Sequence, residues 1–344
     1  MTPNARRGFP LFALLFSLAA AASAVPAAAC SAEDCFRGKT ISLVVGYGAG
    51  GGYDAYARLI APDLERLTGA TVVVRNRPGA GGLIALNEMA RAPGDGLTLG
   101  VVNVTAAVVA QGLGVEAVRF DIGKFSWLAG IGSEQRALVT AADASTLPWK
   151  SPKAASQPVR WAAGGQTDEM AINAALLSES LGLRARIVTG YKGSNEAVLG
   201  VVRGEADAVM ISADSARQYA DARAIKVAAL VSSSRSPFFP DVPTIFEAAA
   251  GADLGGDWIR LLTGLSALGR GLAATPGTPD DLVAHLRTAL GRILTDNEFL
   301  RRAKAAERNV DYQSPNDLAG AVASTLATVK RQPEFRHVVL EKYY

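Results

Sequence analysis

Thr40-Ile41-Ser42-Leu43-Val44-Val45, followed at once by Gly46-Tyr47-Gly48-Ala49-Gly50-Gly51-Gly52-Tyr53-Asp54, is the stretch that decides the fold. The first six residues form an aliphatic and β-branched run that reads as a buried strand. After the glycines, Tyr56, Ile60, Leu64 and Leu67 recur at helical spacing. A strand, a side-chain-poor turn and a helix in that order open a parallel α/β unit. The unit then repeats. Thr71–Val74 and Leu97–Asn103 read as further strands, and a helix is expected over Leu83–Ala92.

A second α/β unit follows. It has strands expected at Val159–Ala163, Ala185–Thr189, Ala206–Ser212 and Ile225–Ser232, and helices near Glu169–Leu181, Asn195–Arg203 and Ser215–Ala222. The last part, Pro279–His337, reads as mostly helical, opened by Thr278 as a cap with Pro279 in the first turn. The pattern predicts an α/β protein of two lobes, each a mostly parallel sheet flanked by helices, joined by hinge crossovers. One lobe is expected at 36–134 plus 236–344 and the other at 135–235. Such a pair leaves a cleft outside the carboxyl ends of its strands, where folds of this class bind ligands.

Composition narrows the function. The 344 residues carry 35 Lys+Arg against 32 Asp+Glu, with no dense basic stripe to suit nucleic acid. A hydrophobic fraction of 49% with 19% charged residues suits a packed globular chain. Only 2 His and 2 Cys are present, which is little material for a zinc site or a Cys/His catalytic centre. Both histidines, His285 and His337, fall in the helical C-terminal region away from the glycine turns. There is no Gly-x-Ser-x-Gly elbow. The expectation is a binder with no catalytic residues, no metal and no cofactor.

Residues 1–29 read as a secretory signal peptide: Arg6 and Arg7, an apolar run from Leu11 to Val25, then small residues to Ala29. Arg6-Arg7-Gly8-Phe9 is open to either twin-arginine or ordinary export. Removing this segment takes away those two arginines and no acid, so the net charge falls from +3 to +1. Cys30 is open to two fates, a lipidated first residue or a disulfide to Cys35, which an oxidising periplasm permits. A periplasmic location follows, with or without a lipid anchor.

The first glycine turn offers backbone N–H groups and the positive end of a helix, a natural anion site. A second turn of the same kind, Asn76-Arg77-Pro78-Gly79-Ala80-Gly81-Gly82, follows the second strand. Two such neighbouring turns indicate a small anion approaching the backbone. The candidate ligand-binding residues in this lobe are therefore Tyr47, Ala49, Gly50, Gly51, Gly52, Tyr53, Asp54, Gly79, Ala80, Gly81 and Gly82, with Asn103 at the end of the third strand. Asp54 is equally readable as an intrahelical partner of Arg58 four residues on.

In the other lobe, Gly164-Gly165-Gln166-Thr167-Asp168 and Thr189-Gly190-Tyr191-Lys192-Gly193-Ser194-Asn195 again link strands to helices. The candidates there are Gly165, Gln166, Thr167, Lys192 and Ser212, with Thr167 and Ser194 also suited to helix N-caps. The spacing Gly46-x-Gly48-x-x-Gly51 formally matches a dinucleotide fingerprint. Arg75 and Asn76 stand where an acid is wanted, so an exported NADP-dependent oxidoreductase is the enzyme alternative. No Gly-Lys-Ser/Thr follows the first turn, which excludes a P-loop.

Several of these pieces together resemble the Bug family, the periplasmic receptors of tripartite tricarboxylate transporters. They are Ala49-Gly50-Gly51 with Asp54 and Ala57-Arg58-Leu59, Asn76-Arg77-Pro78-Gly79-Ala80-Gly81-Gly82, Asp95-Gly96, Tyr191-Lys192-Gly193, Pro240-Asp241-Val242-Pro243-Thr244 and Thr275-Pro276-Gly277-Thr278-Pro279. The resemblance implies a Venus-flytrap-like, periplasmic-binding-protein fold and a small organic carboxylate ligand. It implies a carboxylate anchored by backbone amides and ordered waters at Ala49–Asp54 and Gly79–Gly82. It also implies membrane components of the transporter as partners, with a signalling partner as the alternative reading. Gly52-Tyr53 stands where many members carry Ser-Thr, and a histidine often found near the Gly164 turn is absent, so no particular ligand carries over.

Overall fold

The computed structural model describes residues 32–132, 135–144, 157–222, 224–232, 234–236, 239–249, 254 and 256–344. The signal-peptide reading of 1–29, the fate of Cys30 and the expected crossover at 134 lie outside the described residues.

Among the described residues, ten strands form two five-stranded sheets. The first takes β1 (Thr40–Val45), β2 (Thr71–Asn76), β3 (Thr98–Asn103), β4 (Ser126–Gly132) and β10 (Arg270–Ala274) in the order β2-β1-β3-β10-β4. The second takes β5 (Arg136–Ala141), β6 (Val159–Ala163), β7 (Ala185–Thr189), β8 (Ala208–Ser212) and β9 (Ile225–Val231) in the order β7-β6-β8-β5-β9. The α/β units expected from the alternating pattern are present in both lobes.

The sheets are mixed. β1 runs parallel to β2 and β3, and β6 parallel to β7 and β8, as the strand–helix repeats require. β10 is antiparallel to both its neighbours, and so is β5. Each inserted strand enters from the other lobe rather than from a βαβ repeat, so nothing obliges it to follow the parallel direction. This insertion has a functional consequence. An antiparallel strand begins where its parallel neighbours end, so the first residues of β5 and β10 lie on the cleft edge of each sheet. The register places Arg136 opposite Ser212 and Arg270 opposite Asn103, each pair joining a strand start to a strand end.

Helices cover the sheets: α2 (Gly52–Thr68), α3 (Leu83–Met89), α4 (Val104–Gly112), α10 (Asp280–Thr295), α11 (Asn297–Ala305) and α12 (Pro315–Lys330) around the first, preceded by the short α1 (Ala32–Phe36). Around the second lie α5 (Glu169–Leu181), α6 (Ser194–Val202) and α7 (Ala213–Asp221), with α8 (Ile245–Ala248) packed on β9. α9 (Gly256–Ser266) and α13 (Pro333–Leu340) pack on α5, and the Ile187 amide of β7 donates to the Tyr343 carbonyl at 2.7 Å. The period-two pattern of β1 splits its side chains between two apolar layers. Ile41, Leu43 and Val45 join Tyr56, Ile60 and Leu64 of α2, while Val44 faces Leu86 and Met89 of α3.

Three predicted caps move by one residue. α5 and α6 are capped by Asp168 and Gly193, not by Thr167 and Ser194. The cap of α10 is Pro279 rather than Thr278, whose hydroxyl donates instead to the Thr275 carbonyl at 2.8 Å.

Candidate functional site

Four helices begin at one place between the two sheets. Gly51, Gly52 and Tyr53 bring the start of α2, Asp168 and Glu169 the start of α5, Ser194 the start of α6, and Ser212 with Ser215 the start of α7. Together with Tyr47, Asn103, Arg136 and Arg270 they enclose a cavity of about 40 Å³, room for roughly three waters. None of these four helices has a side-chain hydrogen bond at its cap. A fifth helix, α4, also starts at the cavity but is capped there by Asn103, whose Oδ1 accepts from the Ala106 amide at 3.0 Å. Elsewhere α8, α11 and α12 are capped by the side chains of Thr244, Asp296 and Ser314. First-turn amides lack an intrahelical acceptor, so convergent helix starts without side-chain caps give a wall of hydrogen-bond donors and positive dipole ends.

Glycine makes the close approach possible. A Cβ on Gly52 would sit 2.7 Å from Ser215 Oγ and 3.4 Å from Arg270 Nη2. The second turn is held in the left-handed region at four successive residues, Gly79, Ala80, Gly81 and Gly82. Gly81, with φ of 65°, abuts the backbone of Asp168 in the other lobe. Ala80 pays the steric penalty of a non-glycine residue at φ 48°, a strain that persists where surrounding structure fixes it.

Buried charge fills the walls. Arg136 pairs with Glu169, whose Oε2 also accepts from Asn103 Nδ2 at 3.1 Å and from the Tyr53 hydroxyl at 3.4 Å. Arg270 lies across the ring of Tyr53 at 5.1 Å and of Tyr56 at 4.4 Å, with its Nη2 3.8 Å from Asp214. Asp214 also meets Arg308 at 3.9 Å and the Tyr56 hydroxyl at 2.7 Å. Burial alone would raise the Asp214 carboxyl, but Arg270, Ser212, Arg308 and Tyr56 hold it below its ordinary range.

Tyr47 is the hub of the opposite wall. Its hydroxyl accepts from Asn103 Nδ2 at 2.9 Å and lies 3.1 Å from the Gly81 carbonyl and 3.2 Å from Asp168 Oδ1. Its ring stacks on Tyr53 with centroids 4.7 Å apart. Burial, and then the charges of Asp168 and Glu169, push the Tyr47 phenol well up, so it stays a neutral donor. Asp168 Oδ2 accepts from the Gly164 amide at 2.8 Å, yet burial still pushes this carboxyl above its ordinary range.

Of the sequence-predicted residues, Tyr47, Gly51, Gly52, Tyr53, Asn103 and Ser212 line the cavity. Gly81 and Gly82 line a smaller recess behind Tyr47. Ala49, Ala80 and Gly165 lie where the lobes touch: Asn195 Nδ2 donates to the Ala49 carbonyl at 3.0 Å, and Gly165 packs on Ala80. Gly79 packs against Ile84, and Thr167 is buried beside the cavity-lining Asp168. The Gln166 carbonyl accepts from the Tyr344 hydroxyl at 3.1 Å. Asp54 is buried and accepts from the Gly50 amide at 2.8 Å and from Arg58 at 2.9 Å, which lowers its pKa against the opposing effect of burial. It therefore braces the first turn.

Lys192 contributes its backbone: its carbonyl accepts from the Gly48 amide at 2.7 Å, while its side chain is 65% exposed. The cation that the second lobe brings to the cavity is Arg136. Arg136, Glu169, Met170, Ile211, Ser215 and Arg270 are wall residues that the sequence does not single out. The one readable signal for the arginines is a cation at the head of a short apolar run, Arg136-Ala137-Leu138-Val139 and Arg270-Gly271-Leu272-Ala273.

The cavity can be set beside known proteins. The model of the tripartite tricarboxylate transporter family receptor matches residues 56–332. A UPF0065 protein from the tcbD–tcbE intergenic region of Pseudomonas sp. strain P51 is 29% identical over 275 residues, 79% of this chain and 78% of the relative. The solved periplasmic binding protein BugD has a TM-score of 0.74 at 22% identity, over 88% of this chain and 99% of BugD. MatC from Rhodopseudomonas palustris, solved with bound malate, has a TM-score of 0.72 at 23% identity, over 87% of this chain and 99% of MatC. At those identities the two structures speak for the fold, and the family model speaks for the lineage. The chain belongs to the tripartite tricarboxylate transporter receptor family, in which the Bug proteins also stand.

Proposed function

We propose that this chain is an exported receptor that holds a small organic carboxylate between its lobes and delivers it to the membrane components of a tripartite tricarboxylate transporter. The observation that carries the reading is the convergence of four helix starts without side-chain caps on one cavity between two sheets. Such a wall favours a carboxylate without requiring a dedicated cation for it. MatC, of the same fold, was solved with malate, which agrees with this ligand class. The family supports a receptor rather than an enzyme.

On this reading residues 1–29 direct export to the periplasm. No helix among the described residues is long and apolar enough to cross a membrane. The working lobes are the two sheets with the helices packed on each. The sequence-based bounds put the hinge near 134 and 235; because α8 packs on β9 and α9 on α5, the second crossing is placed instead between α9 and β10, and the first between β4 and β5. A carboxylate panel in a thermal-shift assay tests the binding step. A ligand at 100 times its Kd should add about 2.7 kcal/mol of stability. If no mono-, di- or tricarboxylate, aromatic acid or amino acid raises the melting temperature, the reading fails. Loss of carboxylate uptake in a deletion strain tests delivery.

A further inference from the structure

A carboxylate of the protein itself already sits in the cavity. Glu169 is the first residue of α5, a place where an acid ordinarily serves the start of its own helix. Its side chain instead reaches across the cleft and is buried. Oε1 pairs with Arg136 of the second lobe, while Oε2 accepts from Asn103 Nδ2 at 3.1 Å and from the Tyr53 hydroxyl at 3.4 Å, both of the first lobe. Donors from both lobes thus close on one carboxylate, which is the arrangement expected for one end of a bound acid.

Among the described residues lining the cavity, Arg136 and Arg270 are the cations, and each already has an acid of the protein. Arg270 lies over the rings of Tyr53 and Tyr56, 3.8 Å from Asp214. Arg136 serves two acids. It pairs with Glu169, and while burial raises the Asp168 carboxyl, Arg136 is among the groups that draw it back. The amides and hydroxyls at the starts of α2, α6 and α7 remain as the wall for a ligand carboxylate. A second ligand carboxylate would meet Asp168 and Glu169 with no cation to itself, and buried like charges repel far more strongly than exposed ones.

Resting on the carboxylate-receptor reading above, we propose that Glu169 is a specificity-determining residue: by holding Arg136, Asn103 and Tyr53 it takes the place of a second ligand carboxylate, so that the cavity accepts acids with one carboxylate and turns away di- and tricarboxylates.

Isothermal titration of the purified protein with acids of one carbon skeleton that differ by a single carboxylate tests this: butyrate against succinate, valerate against glutarate, and benzoate against terephthalate. Any other ligand found in the thermal-shift panel is compared with its own counterpart carrying one carboxylate more or fewer. The monocarboxylate should bind at least tenfold tighter than its partner. Glu169→Gln keeps the length of the side chain and an acceptor for Asn103 but gives up the charge that holds Arg136. It should tighten the dicarboxylate at least tenfold and so narrow or invert the ratio. If this variant is too unstable to titrate, the dicarboxylate, which restores a carboxylate to Arg136, should raise its melting temperature more than the monocarboxylate does. A di- or tricarboxylate that binds the wild type as tightly as its monocarboxylate partner would overturn the inference, as would a preference unmoved in Glu169→Gln, and either result leaves the carboxylate receptor standing. If no acid in the pairs or the wider panel binds, the receptor reading itself falls, and this inference with it.

Discussion

Replacing Gly81 by alanine should weaken ligand binding in addition to weakening the fold. Gly81 lies on the second glycine turn of the first lobe at φ of 65° and faces Asp168 across the cleft. A methyl group there would meet Asp168 Cβ at 2.8 Å and its Cα and N at 2.9 Å, roughly 0.6 Å or more inside the distance of an optimal contact. Two costs follow. The left-handed backbone costs alanine about 1–2 kcal/mol, whether or not the lobes meet. The clash arises only when they do. Gly182 isolates the first cost: it ends α5 at φ of 60° with nothing within 4 Å of a built Cβ. Gly182→Ala should lower the melting temperature by a few degrees and leave affinity alone. Gly81→Ala should show a similar drop and in addition bind the carboxylate at least tenfold more weakly, about 1.4 kcal/mol. Calorimetric titration of wild type and both variants with the same carboxylate reads the difference. Equal affinities for the two variants would refute the claim that Gly81 is needed for lobe contact.

Further outcomes follow from the buried charges and caps. Asp214→Asn leaves Arg270 and Arg308 without their shared carboxylate and should cost about 3 kcal/mol in denaturant-measured stability, the low end for a broken buried pair since both contacts are long. Asp214 and Asp54 are both held below their ordinary range, against the opposing effect of burial, by arginines and hydrogen-bond donors. Their stabilisation is present above the unfolded value of about 3.9 and is lost as pH falls through the lower folded values. Stability should therefore decline on acidification below about pH 4, less steeply in Asp214→Asn. Thr244→Ala removes one half of a reciprocal capping box with Glu247 and should cost about 1 kcal/mol with no change in ligand affinity.

The backbone half of the site was legible in the sequence and the charged half was not. Glycine turns after β1 and β2 announce themselves because glycine takes left-handed conformations and close approaches without strain, and the runs feeding them are aliphatic enough to read as strands. Arg136 and Arg270 are misleading for the opposite reason: a charged residue at the head of a short run ordinarily marks a surface. They become interior only because β5 and β10 insert antiparallel, which puts their first residues on the cleft edge. β10 is further disguised by Gly271, which leaves room for the Trp127 ring at a position where a β-branched residue would have signalled a strand. Lys192 meets the first lobe through its carbonyl, which accepts from the Gly48 amide, and nothing in a side chain's chemistry reports on a carbonyl. Asp214, Arg270 and Arg308 meet only through the tertiary fold.

The pattern of interlobe contacts bears on how binding works. Tyr47, Tyr53 and Tyr56, from one turn and helix of the first lobe, each place a hydroxyl on an acid at a helix start of the second: Asp168 at 3.2 Å, Glu169 at 3.4 Å and Asp214 at 2.7 Å. The Gly48 amide and Asn195 add two bonds to backbone carbonyls across the same gap. All five join protein to protein, so they favour lobe contact independently of the ligand and raise the fraction of molecules already competent to hold it. A ligand can shift the equilibrium only by its own preference between the two arrangements, and apparent affinity scales with that competent fraction. Tyr56 separates the two contributions because it touches Asp214 but does not line the cavity. Tyr56→Phe should thus weaken carboxylate binding about tenfold, the effect of one hydrogen bond to a charged group worth roughly 1.5 kcal/mol. The ligand's own contacts remain unchanged, and the radius of gyration of the ligand-free protein in small-angle scattering should rise. Wild-type affinity together with a wild-type scattering profile would mean that the tyrosine–acid contacts do not set the balance between open and closed lobes.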